Sequence, residues 1–197
     1  MTEQHLNILK HLTNHFGAQP TLLWNPNEED PQVGCAYFPA EKTGRPWGTL
    51  CSFGMSLTPM VLDEHAEDTD TKRAEIVVYV NEDETDLDDI ANKVRWAGSF
   101  PFLQEPQTFL GWGHTIHLHD LFKDSELTTL LTLSSIVTAD NEPAFQLEGD
   151  DVGFIWLTFL TDAEYALKKE QGVNAILDLF GGHQHPVTFD RSRKSYV

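Results

Sequence analysis

Nine consecutive residues, Val152–Leu160 (VGFIWLTFL), carry no charge, and the next four, Thr161-Asp162-Ala163-Glu164, spell a capping box. A run that short and that apolar suits a strand covered on both faces, and so a central position in a sheet. The box then starts a helix, because the Thr161 hydroxyl can take the Glu164 backbone N–H while the Glu164 carboxylate reaches back. The helix should reach about Gln171 and stop at Gly172. Val173, Ile176, Leu177 and Phe180 mark a second short helix, closed by Gly181-Gly182.

The rest of the chain is read against that strand–helix unit. Leu6, Leu9, Leu12 and Phe16 fall at helical spacing before Gly17, giving an amphipathic N-terminal helix. Leu22–Trp24, Val33–Phe38, Trp47–Leu57 and Ala74–Val80 read as strands, with Gly54 marking a bulge or a close backbone approach. Leu87, Ile90, Ala91, Val94 and Trp96 mark the buried side of another helix, which Asp86, Asp88 and Asp89 begin and Pro101 and Pro106 end. Phe109–Leu118 holds a Gly111–His114 turn and an extended stretch, and Leu127–Val137 reads as a further strand, with a short helix as the alternative. The irregular interleaving, without a βαβ rhythm, predicts one α+β domain with a central mixed, largely antiparallel sheet flanked by helices. Residues 1–182 form that domain. Residues 183–197, with Pro186 and the basic cluster Arg191, Arg193 and Lys194, are expected to lie outside the compact core as a mobile tail.

Charge limits the partners. The 197 residues include 13 basic and 31 acidic ones, a formal net charge of -18. Such a field repels nucleic-acid backbones and anionic membranes and favours encounter with a basic protein, while also keeping the chain soluble. The start, Met1–His5, has neither a basic nor an apolar signal region, so a cytoplasmic protein is expected. Cys35 and Cys51, both in expected strands, read as buried small hydrophobes rather than a disulfide framework.

The chain lacks a GxSxG elbow, a GxxxxGK[ST] loop and a GxGxxG turn. No cofactor is expected. His114, His117, His119 and Asp120 lie close in sequence, and on a strand His117 and His119 would share a face, a spacing that metal sites use. His183 and His185 form a second such pair. These residues are the basis of an alternative reading as a metal-dependent hydrolase. The other reading is that the rings are loop or packing residues, and no HExxH or cysteine pair reinforces a metal. The acidic stretches Asp63–Asp70 and Glu82–Asp89 lack the spaced pattern of a calcium loop. Within them Asp63, Glu64, Glu67, Asp68, Asp83, Glu84 and Asp86 are, on charge alone, the candidate partner-binding residues.

Several segments in order resemble the Suppressor-of-fused-like domain family: Gly48–Ser56 (GTLCSFGMS), Arg73-Ala74-Glu75-Ile76, Gly113-His114-Thr115-Ile116, and Phe154–Leu157 running on to Glu164. The likeness spans the first helix to about Phe180. Phe159-Leu160-Thr161 stands where the family often has a proline, and the tail after Gly182 has no counterpart. The resemblance implies a mixed sheet flanked by helices and no catalytic residues. The animal namesake is a two-lobed regulator that clasps a transcription-factor peptide as an added strand. This chain is similar to the single lobe that stands alone in bacteria, for which an immunity role beside toxin genes has been proposed. The resemblance therefore implies a protein-binding domain, either an immunity protein for a basic toxin or a scaffold that takes a peptide by strand addition.

Overall fold

The computed structural model describes residues 1–27, 32–64, 66, 71–137 and 143–197. In chain order the elements are α1 (Glu3–Phe16), β1 (Leu22–Trp24), β2 (Gly34–Phe38), α2 (Ala40–Thr43), β3 (Gly48–Phe53), a 3-10 turn (Met55–Leu57), β4 (Arg73–Val80), α3 (Leu87–Leu103), β5 (Thr115–His117), β6 (Leu127–Ser134), β7 (Phe145–Leu147), β8 (Asp150–Thr161), α4 (Asp162–Gln171) and α5 (Val173–Gly182). One sheet runs β1-β2-β3-β4-β8-β6-β5, with β7 paired to β8 beside this path. Every pairing is antiparallel except β4 with β8, where Arg73 lies opposite Val152 and Val77 opposite Trp156. The expected mixed, largely antiparallel sheet flanked by helices is the one observed.

Strand alternation divides the core into two layers. Ile76, Val78, Val80, Leu157 and Phe159 pack beneath Ile90, Ala91, Val94 and Ala97 of α3. Val77, Tyr79, Cys51, Phe53 and Phe154 face Ile8, Leu9, Leu12 and Phe16 of α1. On that second face, Leu131, Leu133 and Leu160 meet Ile176 and Phe180 of α5. All eight residues of β4 are buried, which explains its run of β-branched residues. The two cysteines fall on opposite faces, one in each layer, and burial pushes both thiols up.

Two helices, α1 and α4, start at capping boxes. Thr161 and Glu164 form the expected box. Thr2 and His5 form a second, at α1, that the residue types hide because histidine stands where glutamate or glutamine usually does. Pro101 does not end α3, which continues to Leu103. Only one helical bond is lost in this last turn, and the Pro101 carbonyl accepts from Thr108 N–H at 3.1 Å.

The C-terminal segment departs from expectation, because it packs onto the body rather than lying outside the core. Where β8 parts from β4, Thr188 bridges Tyr79 in parallel, and Phe189 N–H donates to the Tyr79 carbonyl at 2.7 Å. Phe189 is buried against Phe122 and Phe159. Arg193, also buried, donates both Nη atoms to the two Glu164 oxygens at 2.6 and 2.7 Å, and one of them also to the Phe159 carbonyl. A basic residue 29 positions from its carboxylate carries no local signal of this pairing, so the segment read as solvent-facing.

Candidate docking groove

The motifs Gly48–Ser56 and Arg73–Ile76 meet in three dimensions. Arg73 and Glu75 lie two apart on β4 and so share a face, the one that α1 covers. Glu75 is fully buried; its Oε1 accepts the N–H of Gly54 at 3.0 Å, the N–H of Ser56 at 3.1 Å and the Ser56 hydroxyl at 2.7 Å. Its Oε2 accepts the Ser52 hydroxyl, whose oxygen takes the Ile76 N–H. Burial pushes the Glu75 carboxyl up, and the Ser52, Ser56 and backbone donors pull it part of the way back. Arg73 holds the other end of the turn, donating Nη1 to the carbonyls of Ser56 and Leu57 at 2.8 and 3.0 Å. Each group therefore sits at the end of the turn that its charge suits.

Gly54 is required at the start of this turn. Its φ is +107°, and a Cβ there would stand 2.2 Å from the Gln32 carbonyl and 2.8 Å from the His5 ring. His5 Nε2 donates to that carbonyl at 2.6 Å, and Gln32 Nε2 donates to the Gly54 carbonyl at 3.2 Å. Since Nε2 is the donor, Nδ1 accepts from Thr2, which ties the start of α1 to the turn.

Arg73 also reaches the β7–β8 hairpin. Its Nε donates to Asp150 and its Nη2 to Glu148, both at 2.9 Å. The two-residue connection Glu148-Gly149 has φ of +54° and +91°, a turn in which a left-handed glutamate replaces the usual asparagine or glycine. The turn, the hairpin and α1 thus enclose a groove of about 300 Å³. Gln4, Asn7 and His11 form its α1 wall, Leu57 its floor, and Gln146, Leu147 and Glu148 the opposite wall. His11 is fixed by stacking on Phe145, with centroids 4.8 Å apart.

The sequence did not point to this groove, because its residues come from three distant segments and none is chemically unusual. The only signal was the pair of motifs that build its support. The candidate partner-binding acids are placed elsewhere. Asp63 and Glu64 are exposed on the segment that precedes β4, and Glu67 and Asp68 lie outside the described residues. Asp83, Glu84 and Asp86 follow β4. Asp83 is exposed. Glu84 accepts the Asp86 N–H at 2.8 Å, and the Asp86 carboxylate lies 3.1 Å from Arg191.

The histidines do not assemble into a metal centre. His114 turns back on its own loop, with Nδ1 3.3 Å from both the Phe109 carbonyl and the Gly111 nitrogen. His117 bonds Thr129 at 2.8 Å and stacks on Tyr165, while His119 meets it edge-on at 5.1 Å between centroids. His119 and Asp120 are exposed. Among the described residues no three His, Cys, Asp or Glu side chains converge as metal ligands. This corrects the four-residue cluster of the hydrolase alternative: the His117 and His119 rings pack as aromatic partners, and the four side chains do not converge as ligands. Nor, among the described residues, is any helix long and apolar enough to cross a membrane.

Such a structure is a single-sheet α+β domain with helices on both faces, tied together by a buried arginine–glutamate clamp. The chain belongs to the suppressor of fused protein family, whose model matches residues 29–194 and so takes in most of the C-terminal segment. Solved structures agree. A bacterial protein described as a suppressor-of-fused homologue, from Neisseria gonorrhoeae, matches with a TM-score of 0.65 at 15% identity, over 99% of this chain and 97% of that one. A chain of the Sufu–Fu complex matches with 0.66 at 15% identity, over 98% and 92%. Drosophila Suppressor of Fused matches with 0.65 at 15% identity over 98% of this chain, which spans 51% of that protein. No curated protein matches the sequence.

Proposed function

We propose that this chain is a non-enzymatic, cytoplasmic protein-binding domain that acts as an immunity protein, neutralising a basic toxin. The observation that carries the reading is the net charge of -18 on a member of a family in which one similar structure is a complex, Sufu–Fu. A field of that size speeds encounter with a basic protein and can mask the surface that such a toxin presents to phosphate. Asp63, Glu64, Glu67, Asp68, Asp83, Glu84 and Asp86 are the proposed steering residues.

The test is capture of partners by the untagged chain from its native host, at low and at high salt. Recovery of one basic protein, lost as salt rises, supports the reading. A partner held equally at both salts removes the electrostatic part, and recovery of none removes the reading.

A second reading is a scaffold that takes a peptide by strand addition. It is favoured by β1, an edge strand whose Leu22 and Leu23 are 45% and 44% exposed. Leu23→Pro abolishes binding on this reading and leaves it intact on the first.

A further inference from the structure

The groove between α1 and the β7–β8 hairpin has the chemistry of a receptor for one extended basic segment. We propose that it is the docking pocket for a long cationic side chain of the partner, a lysine or arginine flanked by extended backbone. The inference rests on the protein-binding reading and gives it a place on the molecule.

Three features select this occupant. A groove of about 300 Å³ is at the lower limit of small-molecule sites, enough for a side chain and its neighbouring backbone. Leu57 and Leu147 supply apolar walls for an aliphatic stem, and the exposed amides of Gln4 and Asn7 supply donors and acceptors for main-chain N–H and C=O.

The third feature is charge complementarity. Glu148 lines the groove and stays 63% exposed although Arg73 binds it. Glu3 lies in the first turn of α1. Against these stand Lys10, exposed on α1, and Arg73, which is buried and faces two carboxylates, Glu148 and Asp150, so that the cluster of the three keeps a net negative charge. The mouth of the groove therefore favours a cation. The clamp explains why the receptor is preformed: Arg73 positions Leu57 through the turn and Leu147-Glu148 through the hairpin, fixing the floor and one wall before a partner arrives.

The experiment is a titration of the ¹⁵N-labelled chain with the capped peptide Ala-Ala-Lys-Ala-Ala and with its norleucine counterpart, followed by amide shifts. Shifts at residues 4–11, 57 and 146–148 that appear with lysine and not norleucine support the proposal. So does at least tenfold weaker binding by Asn7→Lys, which puts the chain's own cation in the groove at an exposed helical position that lysine suits. Shifts confined to 63–64 and 82–86, an equal response to norleucine, or undiminished binding by a folded Asn7→Lys chain would overturn it. If the host partner binds wild type and Asn7→Lys alike, the groove is wrong and the protein-binding reading stands. That reading falls on a different result, failure to capture any partner.

Discussion

Arg73 and Glu75, two residues apart on one face of β4, hold the Met55–Leu57 turn from opposite ends, the carboxylate on its N–H groups and the guanidinium on its carbonyls. Both side chains are buried, and each takes up backbone groups that the turn leaves unpaired. The clamp is a fold-defining feature, and its geometry fixes the position of the groove.

Glu75→Leu should therefore destabilise the domain by about 3–5 kcal/mol, since it strands two backbone N–H groups and two hydroxyls in the core. Glu75→Gln keeps an acceptor for the turn and should cost less than half as much. Urea unfolding of the two variants checks both the size and the order. Equal, small losses would show that the donors find other partners.

The C-terminal segment should behave as part of the core. Arg193→Leu leaves the fully buried Glu164 carboxylate without its guanidinium, and a loss of about 3–5 kcal/mol is expected. Removal of residues 183–197 should be at least as damaging, because it also uncovers Tyr79, Phe122 and Phe159. Thermal melts of both variants test this, and a truncated chain as stable as the full one would contradict it.

Acid should weaken the domain in two stages. Burial, aided by nearby Arg193, depresses His185 from its ordinary 6.5 to about 4, so the folded chain holds it neutral while the unfolded chain protonates it. Its contribution to stability is complete above pH 6.5 and is lost as pH falls from there toward 4. His15, lowered by burial and by Arg45, acts in the same direction. Burial alone would raise the Glu164 carboxyl, but Arg193 and the Thr161 and Tyr196 N–H groups hold it below the usual range. Its contribution is present above the ordinary carboxylate value and is lost as pH falls through the folded one. His185→Gln should flatten the limb between pH 6.5 and 4 and leave the more acidic one, as measured by unfolding across pH.

What the sequence made legible was local. The run Val152–Leu160 and the Thr161–Glu164 box announce a central strand and the helix after it, and a glycine inside a strand pattern marks Gly54 as a bulge or a close approach, of which the structure shows the second. What it concealed was pairing at a distance. Glu164 looked complete as a capping residue, so nothing called for Arg193, and a segment of mixed charge was left outside the core. Nothing in the carboxylate-rich stretch Glu82–Asp89 signals that Asp86 and Asp89 both lie against Arg191. The groove was hidden most deeply, since Asn7, Leu57 and Leu147 share nothing until the fold brings them together.

The central claim, that acidity recruits a basic protein, is tested most directly by the association rate constant of the captured partner at 20 mM and 500 mM salt. The comparison is between the wild-type chain and one in which Asp63, Glu64, Glu67, Asp68, Asp83, Glu84 and Asp86 are all changed to their amides. The account predicts a wild-type rate that falls at least tenfold with salt, and a variant that is slow at low salt and nearly insensitive to it. An identical, salt-independent rate for the two chains would contradict it.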